Sequence, residues 1–419
     1  MAPFAIAVSG GADSMSLMLL ASDWCTACGA PAPSAVTVDH GLRDDSAAEA
    51  LQVSDWASRL GVSHTVLRWD SARKTSNIQA QAREARYGLI GNWMRAKGLK
   101  SLLTGHTLDD QAETFLSRLA RGTGLEGLTG MAPLAPFPFP AFSSLGLVRP
   151  LLLFRHDRLV ATLRIRGQAW IEDPGNSNMR FQRTRIRALA PALTQAGLTP
   201  EKIASAIGHL RRANEVIRSE TTTLLARASR IEPWGYAIIE VGELKLASAE
   251  IALRATARLL QMIGGTAYPP EFEQTEQLLA WLLDEHGTVR GRTLNGCRLA
   301  RRSPGTVLIA REEEVLLVEA PTVQLQPGET CIWDQRFEVS MPVGEKRGPF
   351  QVKALGLEGL QQIVSSASMP PLEPNRIARS LPAIWLGDRM LSAPLLNFHD
   401  GLHAFARFLG STTPRNWPN

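Results

Sequence analysis

The sequence predicts an α/β protein with a parallel sheet in its first half, followed by a smaller α+β domain and a β-rich C-terminal domain. Three observations carry this reading. Over the first 120 residues, short apolar runs alternate with amphipathic stretches of helical spacing, an order that demands crossover connections and therefore parallel strands. The first apolar run, Phe4 to Val8, breaks into Ser9-Gly-Gly-Ala-Asp-Ser14 before helical spacing resumes at Met15, Leu17, Met18 and Leu19. Chemically rich segments also fall at or shortly after the ends of the expected strands, where open parallel sheets bind ligands.

In chain order, strands are expected at Phe4–Val8, Ala35–Val38, His64–Trp69 and Ser101–Thr104. Helices are expected at Ala12–Ser22, at Asp45–Leu60 ending on Gly61, at Asn77–Lys97 ending on Gly98, and at Asp109–Ala120 before Gly122. A glycine just past the last periodic residue is the usual helix stop. Met131–Pro140 is rich in proline and reads as a linker, and a long helical stretch ends near Ala228. Residues 230–320 read as α+β, with helices near Ala247–Ile263 and Pro270–Glu285 and a hairpin around Arg292–Ala310. From Pro321 onward short strands dominate, including Ala383–Ala393 around a Gly387-Asp388 turn. At 419 residues the chain exceeds one ordinary core. Three domains are expected, at 1–215, 216–320 and 321–419.

With 44% hydrophobic and 20% charged residues, the composition is that of a soluble globular protein. The first twenty residues have no basic n-region and their apolar runs are interrupted, which argues against a signal peptide or membrane span; a cytoplasmic protein is expected. The net charge of +5 suggests a polyanionic partner. Arginines concentrate between Pro150 and Ala188, at 155, 158, 164, 166, 180, 183, 185 and 187, against only Asp157, Glu172 and Asp173. Forked guanidinium contacts suit phosphates and base edges, although a solvated helix face would show the same charges. Cys25 and Cys28 mimic a redox C-x-x-C, but they follow a helix instead of opening one, and Cys297 and Cys331 offer no second pair for zinc.

The Ser9–Ser14 stretch has the outline of a phosphate cradle. Adjacent glycines permit positive φ and close approach, so amides at a helix N-terminus point at an anion. A Walker loop is excluded because no lysine occurs before Lys74. A carboxylate beside phosphates implies an intervening divalent cation, which makes Asp13 a candidate magnesium ligand; the plainer alternative is a Gly-Gly turn in which Asp13 or Ser14 caps a helix. In Gly105-His-Thr-Leu-Asp-Asp-Gln-Ala-Glu113, Asp109 is the expected cap, and His106, Asp110 and Glu113 are spaced to lie along one helical face.

The ordered set of motifs supports a resemblance. Ser9-Gly-Gly-Ala-Asp-Ser14 resembles the pyrophosphatase (PP) loop of the N-type ATP pyrophosphatases, whose fold is Rossmann-like. Val38-Asp-His-Gly-Leu-Arg43, Gln81-Ala-Arg-Glu-Ala-Arg-Tyr87, Gly105-His-Thr-Leu-Asp-Asp-Gln-Ala-Glu-Thr114, Arg118-Leu-Ala-Arg-Gly-Thr-Gly124, Arg149-Pro-Leu-Leu152 and Asp173-Pro-Gly-Asn176 follow, with Arg183 and Arg187. In this order they resemble the tRNA(Ile)-lysidine synthetase family, densely over the first half of the chain. One departure is Asp-Pro-Gly-Asn in place of the more usual Asp-Pro-Ser-Asn.

The resemblance implies a ligase that uses ATP and Mg2+ to join free L-lysine to the wobble cytidine of tRNA(Ile) with a CAU anticodon. It implies that Ser9, Gly10, Gly11, Ala12, Asp13, Ser14 and Asp39 bind ATP. Asp13, Arg86, His106 and Asp110 would form the catalytic centre, Asp13 and Asp110 the magnesium site, and Arg183 and Arg187 the tRNA contact within an Arg-rich extension of the catalytic domain at 1–215, while the α+β tRNA-binding domain at 216–320 and the small β-rich domain at 321–419 would grip the tRNA body. No membrane partner is expected, and a homodimer is compatible with this reading. The rival readings are a tRNA thiolation enzyme with the same ATP loop and a non-catalytic RNA-binding protein that retains the nucleotide fold.

Overall fold

A computed structural model describes residues 3–41, 45–69, 78–139, 142, 144–172, 182–284, 289–364 and 375–411. Leu42, Arg43, Asn77, the Asp173–Asn176 motif and Arg180 lie outside the described residues. The chain divides into two compact units, Met1–Glu215 and Val216–Arg415.

The first unit opens with β1 (Ala5–Ala7), α1 (Ala12–Ala27), β2 (Ser34–Asp39), α2 (Ser46–Arg59) and β3 (Ser63–Arg68). It continues with α3 (Ile78–Ala96), β4 (Ser101–Leu103), α4 (Leu108–Leu119), α5 (Leu125–Leu128), β5 (Leu134–Pro136) and β6 (Gly146–Val148). Helices α6 (His156–Ile165), α7 (Gln182–Gln195) and α8 (Pro200–Ala228) follow, the last crossing the boundary between units. The six strands form one sheet in the order β3-β2-β1-β4-β6-β5, parallel except for β5.

Alternation along the strands sends side chains to opposite faces. Ile6, Val8 and Ala35 pack with Met15, Met18, Val53, Trp56, Leu159 and Leu163 from α1, α2 and α6. Ala5, Val36, Leu102 and Leu147 pack with Tyr87, Ile90 and Met94 of α3. From β1 the chain winds to β2 and β3 on one side and returns to β4 on the other, so the loops after β1 and β4 are neighbours at the switch point.

Two expectations change here. Met131–Pro140 is no linker: its residues Leu134–Pro136 are the edge strand β5, with Leu134 opposite Val148, and proline is tolerated there because an edge strand has one side free of hydrogen-bond partners. His106 does not share the α4 face with Asp110 and Glu113, because the helix starts at Leu108 and His106 lies before its N-cap, Thr107.

The second unit contains β7 (Ser229–Glu232), β8 (Tyr236–Glu240), α9 (Val241–Leu246), α10 (Ala249–Gly264) and α11 (Phe272–Leu283). Strands β9 (Gly291–Leu294), β10 (Cys297–Ser303) and β11 (Thr306–Arg311) complete an antiparallel sheet of order β7-β8-β11-β10-β9. After α12 (Glu313–Glu319) come β12 (Val323–Leu325), β13 (Thr330–Trp333), β14 (Phe337–Ser340), β15 (Phe350–Ala354), α13 (Gly356–Val364) and α14 (Asn375–Arg379). The described chain ends with β16 (Pro382–Leu386), β17 (Arg389–Ala393), β18 (Phe398–His399) and β19 (Phe405–Phe408). These later strands form a five-stranded sheet, β12-β15-β16-β17-β18, and a three-stranded one, β13-β14-β19. One hydrophobic cluster runs through the unit, from Leu224 and Leu260 to Trp333, Trp385 and Phe408.

Candidate active site

The loop after β1 turns at Gly10, whose φ is +85°. A Cβ there would lie 2.6 Å from the Ile171 side chain, so both conformation and space call for glycine. Gly11 is the N-cap of α1 and has no capping side chain. The first intrahelical bond of α1 runs from Met15 N to Gly11 O at 3.0 Å, which leaves the preceding amides of the first turn without helical partners. Ser14 Oγ accepts from Ser9 N at 3.1 Å and donates to Gly11 O at 2.9 Å, closing the loop on itself. The result is a ring of amides and hydroxyls of the kind that holds phosphate.

The β4 loop meets this ring at backbone distance. A Cβ on Gly105 would lie 3.0 Å from the Asp13 carbonyl and the Ser14 amide. His106 follows, half-buried, with Nδ1 2.9 Å from Thr104 Oγ1. Burial pushes its pKa down to about 4 against the pull of Asp110, and Arg149, Arg183 and Arg83 push the same way. At neutral pH it is therefore a neutral imidazole, suited to hydrogen bonding.

Asp110 holds two positions at once. Its Oδ2 accepts from Thr107 N at 2.8 Å, completing a capping box with Thr107, and its Oδ1 accepts from Arg183 Nη2 at 3.0 Å. The expected cap, Asp109, instead accepts from Arg155 Nε at 3.0 Å and from His156 N at 2.7 Å. That clamp positions His156, whose Nδ1 stands 2.8 Å from Asp13 Oδ1 and whose pKa rises through this bond. Sequence reasoning missed His156, because the pairing spans 143 residues and no local pattern announces it.

At the other side of β1, Asp39 ends β2 and accepts from Gly41 N at 2.9 Å, a bond that lowers its pKa. His40 Nε2 lies 3.3 Å from Arg86 Nε and 3.2 Å from Arg86 Nη2. Burial first, and the Arg86 charge second, lower the His40 pKa. Burial also lowers that of Arg86, which stands on α3. Arg149, between β6 and α6, donates to Ala132 O at 2.7 Å while its Nε is buried without a hydrogen-bond partner among the described residues.

Arg183 and Arg187 stand one turn apart on α7 and both reach the buried Glu113: Arg183 Nε at 2.9 Å and Arg187 Nε at 2.7 Å. They are thus brought to the same α4 surface as Asp110. Both arginines remain about half exposed.

A glycine-turned amide ring at a parallel-sheet switch point, with carboxylates and guanidiniums on the neighbouring loops, defines a phosphate-handling enzyme of the nucleotide-binding α/β class. Residues 2–193 match the PP-loop domain family. The chain is 34% identical over 396 residues to the tRNA(Ile)-lysidine synthase of Ruegeria pomeroyi, covering 94% of this chain and 89% of that protein. It is 38% identical over 337 residues to the enzyme of that name from Bradyrhizobium sp. strain BTAi1, covering 76% and 92%. The Wolbachia pipientis wMel protein of the same name is 30% identical, with 94% and 89% covered. The chain belongs to the tRNA(Ile)-lysidine synthase family.

Proposed function

We propose that this protein ligates L-lysine to C2 of the wobble cytidine of tRNA(Ile) with a CAU anticodon, consuming ATP and releasing AMP and pyrophosphate. The cytidine O2 is a poor leaving group. Transfer of AMP to O2 makes it a good one, and the lysine ε-amine then attacks C2 and expels AMP. The product, lysidine, pairs with A, which changes the tRNA from methionine to isoleucine identity. The observation that carries this reading is the meeting of the Ser9–Ser14 ring with the Gly105–Asp110 loop at backbone distance, in a chain whose relatives bear this name.

The first-loop amides and the hydroxyls of Ser9 and Ser14 hold the β- and γ-phosphates of ATP, and Asp39 contacts the adenosine side. Among the described residues no three ligating side chains stand together for a metal. That fits magnesium carried by the nucleotide, held by one or two carboxylates plus phosphate oxygens. Asp13 and Asp110 would be those carboxylates, and magnesium held there would supply charge neutralisation for the triphosphate. Arg86 balances charge at the α-phosphate or the cytidine oxygen. The neutral His106 donates or accepts a hydrogen bond there. Arg183 and Arg187 contact the anticodon-loop backbone. An anticodon loop is already single-stranded, so exposing the base costs little. No helix among the described residues is long and apolar enough to cross a membrane, and a cytoplasmic site of action fits a tRNA substrate.

The thiolation alternative finds no thiol at the N-terminal end of α1, where the ring lies: Cys25 sits in the last turn of that helix and Cys28 is its C-cap. Burial raises the pKa of Cys25 inside α1, and those of Cys297 and Cys331 to about 12 and about 11. Purified protein, ATP, magnesium and radiolabelled lysine are expected to place label in a CAU-anticodon tRNA(Ile) transcript. Absence of label while an active lysidine synthase labels the same RNA refutes the proposal.

A further inference from the structure

Helices α1 and α6 lie side by side at a constant offset of 143 residues. Ser16 Oγ donates to Leu159 O at 3.4 Å, Arg166 donates to both carboxylate oxygens of Asp23 at 2.7 and 3.1 Å, and His156 Nδ1 meets Asp13 Oδ1 at 2.8 Å. The two helices therefore run parallel, with their N-termini at the same end. Their union does not need the His156–Asp13 contact. Met15 and Met18 share a buried cluster with Leu159 and Leu163, and the forked Arg166–Asp23 bond holds the far end.

The His156 end is nevertheless anchored from two further helices. Asp109, in the first turn of α4, accepts from His156 N at 2.7 Å and from Arg155 Nε at 3.0 Å, and Arg155 Nη1 donates to Glu201 of α8 at 3.0 Å. The backbone of His156 is thereby set, and its ring delivers an N–H to one oxygen of Asp13. The other oxygen, Oδ2, accepts nothing among the described residues. Both side chains keep an open side, with 46% of His156 and 30% of Asp13 exposed.

A plain reading is a surface pair, and an exposed pair contributes little to stability. The helices already hold together without it, so stability gives no reason to anchor this pair on α4 and α8. A carboxylate that binds a cation does give one. A hydrogen bond to one of its oxygens fixes the direction of the other, which is how partners behind a ligating group set its geometry.

We propose that His156 is a positioning residue for the magnesium nucleotide: it holds Asp13 through Oδ1 and leaves Oδ2 for the cation that accompanies ATP. The proposal rests on the magnesium site proposed above. It adds a residue outside the Ser9–Ser14 and Gly105–Glu113 segments, and it gives His156 no contact with the reacting atoms.

The test compares His156→Ala, His156→Asn and His156→Gln in the full chain. An Asn amide stands near the place of Nδ1 and a Gln amide near that of Nε2, so only Asn restores the bond to Asp13. Calorimetric titration with ATP is run in magnesium and again in EDTA, beside thermal melting and lysine incorporation. For His156→Ala the expected Kd for ATP in magnesium rises about tenfold or more, the usual cost of removing the partner of a metal ligand. ATP binding in EDTA and the melting temperature stay at wild type. KM for ATP rises with Kd while kcat at saturation stays within about threefold, the signature of lost uniform binding. His156→Asn regains most of the affinity and His156→Gln does not, a contrast that holds even if the alanine variant folds poorly. In an Asp13→Ala background, His156→Ala changes nothing further.

Unaltered affinity in magnesium in a folded His156→Ala variant overturns the proposal, and a lowered melting temperature beside that result marks a brace. Tighter binding in magnesium also overturns it, since His156 then obstructs the cation, as does rescue by Gln instead of Asn. ATP binding that is indifferent to magnesium in the wild type removes the site itself. If the binding results hold but the wild type incorporates no lysine, the positioning role stands and the proposed reaction falls.

Discussion

At the scale of single residues, the first unit separates carboxylates by what already holds them. Asp13 pairs with His156, whereas Asp110 joins a helix cap to an arginine. Asp13→Asn and Asp110→Asn are each expected to lower lysine incorporation by about a hundredfold or more, the usual cost of one electrostatic contact in an active site. The two differ in stability: Asp13→Asn melts near wild type, and Asp110→Asn loses about 1 kcal/mol with its cap. Thermal melting beside steady-state rates checks both. Cys25→Ser with Cys28→Ser leaves incorporation unchanged, and a large loss there would restore the sulfur-transfer reading.

His106 gives a pH dependence with a definite sign. Its folded pKa of about 4 lies below the ordinary value of 6.5, so the unfolded chain binds the extra proton between those two pH values. Stability therefore falls as pH drops from about 6.5 toward 4. Replacing His106 by Gln removes this contribution. The difference in urea-unfolding free energy between wild type and variant should vary across that window and stay flat above pH 7.

At the scale of elements, the strands and helices around the first sheet were legible because hydrophobic period and glycine stops agree. Ala12, Asp45, Gly61 and Gly98 all fall within a residue or so of the observed ends of α1, α2 and α3 or in their caps. The Pro-rich Met131–Pro140 was opaque because an edge strand uses so few hydrogen bonds that proline does not forbid it. The Thr107-x-x-Asp110 spacing is itself a readable capping signal, and giving the cap to Asp109 overlooked it. No local pattern could reveal that α7 packs its arginines on Glu113 of α4. That contact sets the next prediction. Glu113→Gln leaves two arginines unpaired and should cost about 1–2 kcal/mol, modest because the partners are half exposed, with the tRNA salt slope intact. Arg183→Ala with Arg187→Ala should lose about 1–3 kcal/mol, since a buried carboxylate is left alone, and should also flatten the slope. Equal slopes in both variants would confine α7 to bracing.

Over the whole molecule, the second unit has a polar centre inside its hydrophobic cluster. Asp334 accepts from Arg336 Nε at 2.5 Å and Arg311 Nη2 at 3.2 Å, and Arg336 also reaches the carbonyl of Ser380 at 3.1 Å. All three charged residues are buried. Arg311 ends β11 of the first sheet of this unit, while Asp334 and Arg336 join β13 to β14 in the three-stranded sheet. The expected boundary between residues 320 and 321 thus runs through a shared core and a shared ion cluster. Asp334→Ala strands two buried guanidiniums, and a loss of about 3–5 kcal/mol is expected, read as an earlier melting transition of the full chain. The sequence showed these residues only as scattered charges, because burial of a charge is a property of the packed fold.

The capping box at Thr107 and Asp110 has a bearing on descent. One carboxylate begins a helix and holds Arg183, so on the function proposed above selection for a folded chain and selection for turnover press on the same atoms. A descendant that no longer met its tRNA would still be penalised for losing Asp110, and would drift first at positions that serve chemistry alone. Persistence of this aspartate in a distant copy therefore vouches for the helix. Asp13, which caps no helix and pairs with His156, is on the same reading the better witness to an enzyme still at work.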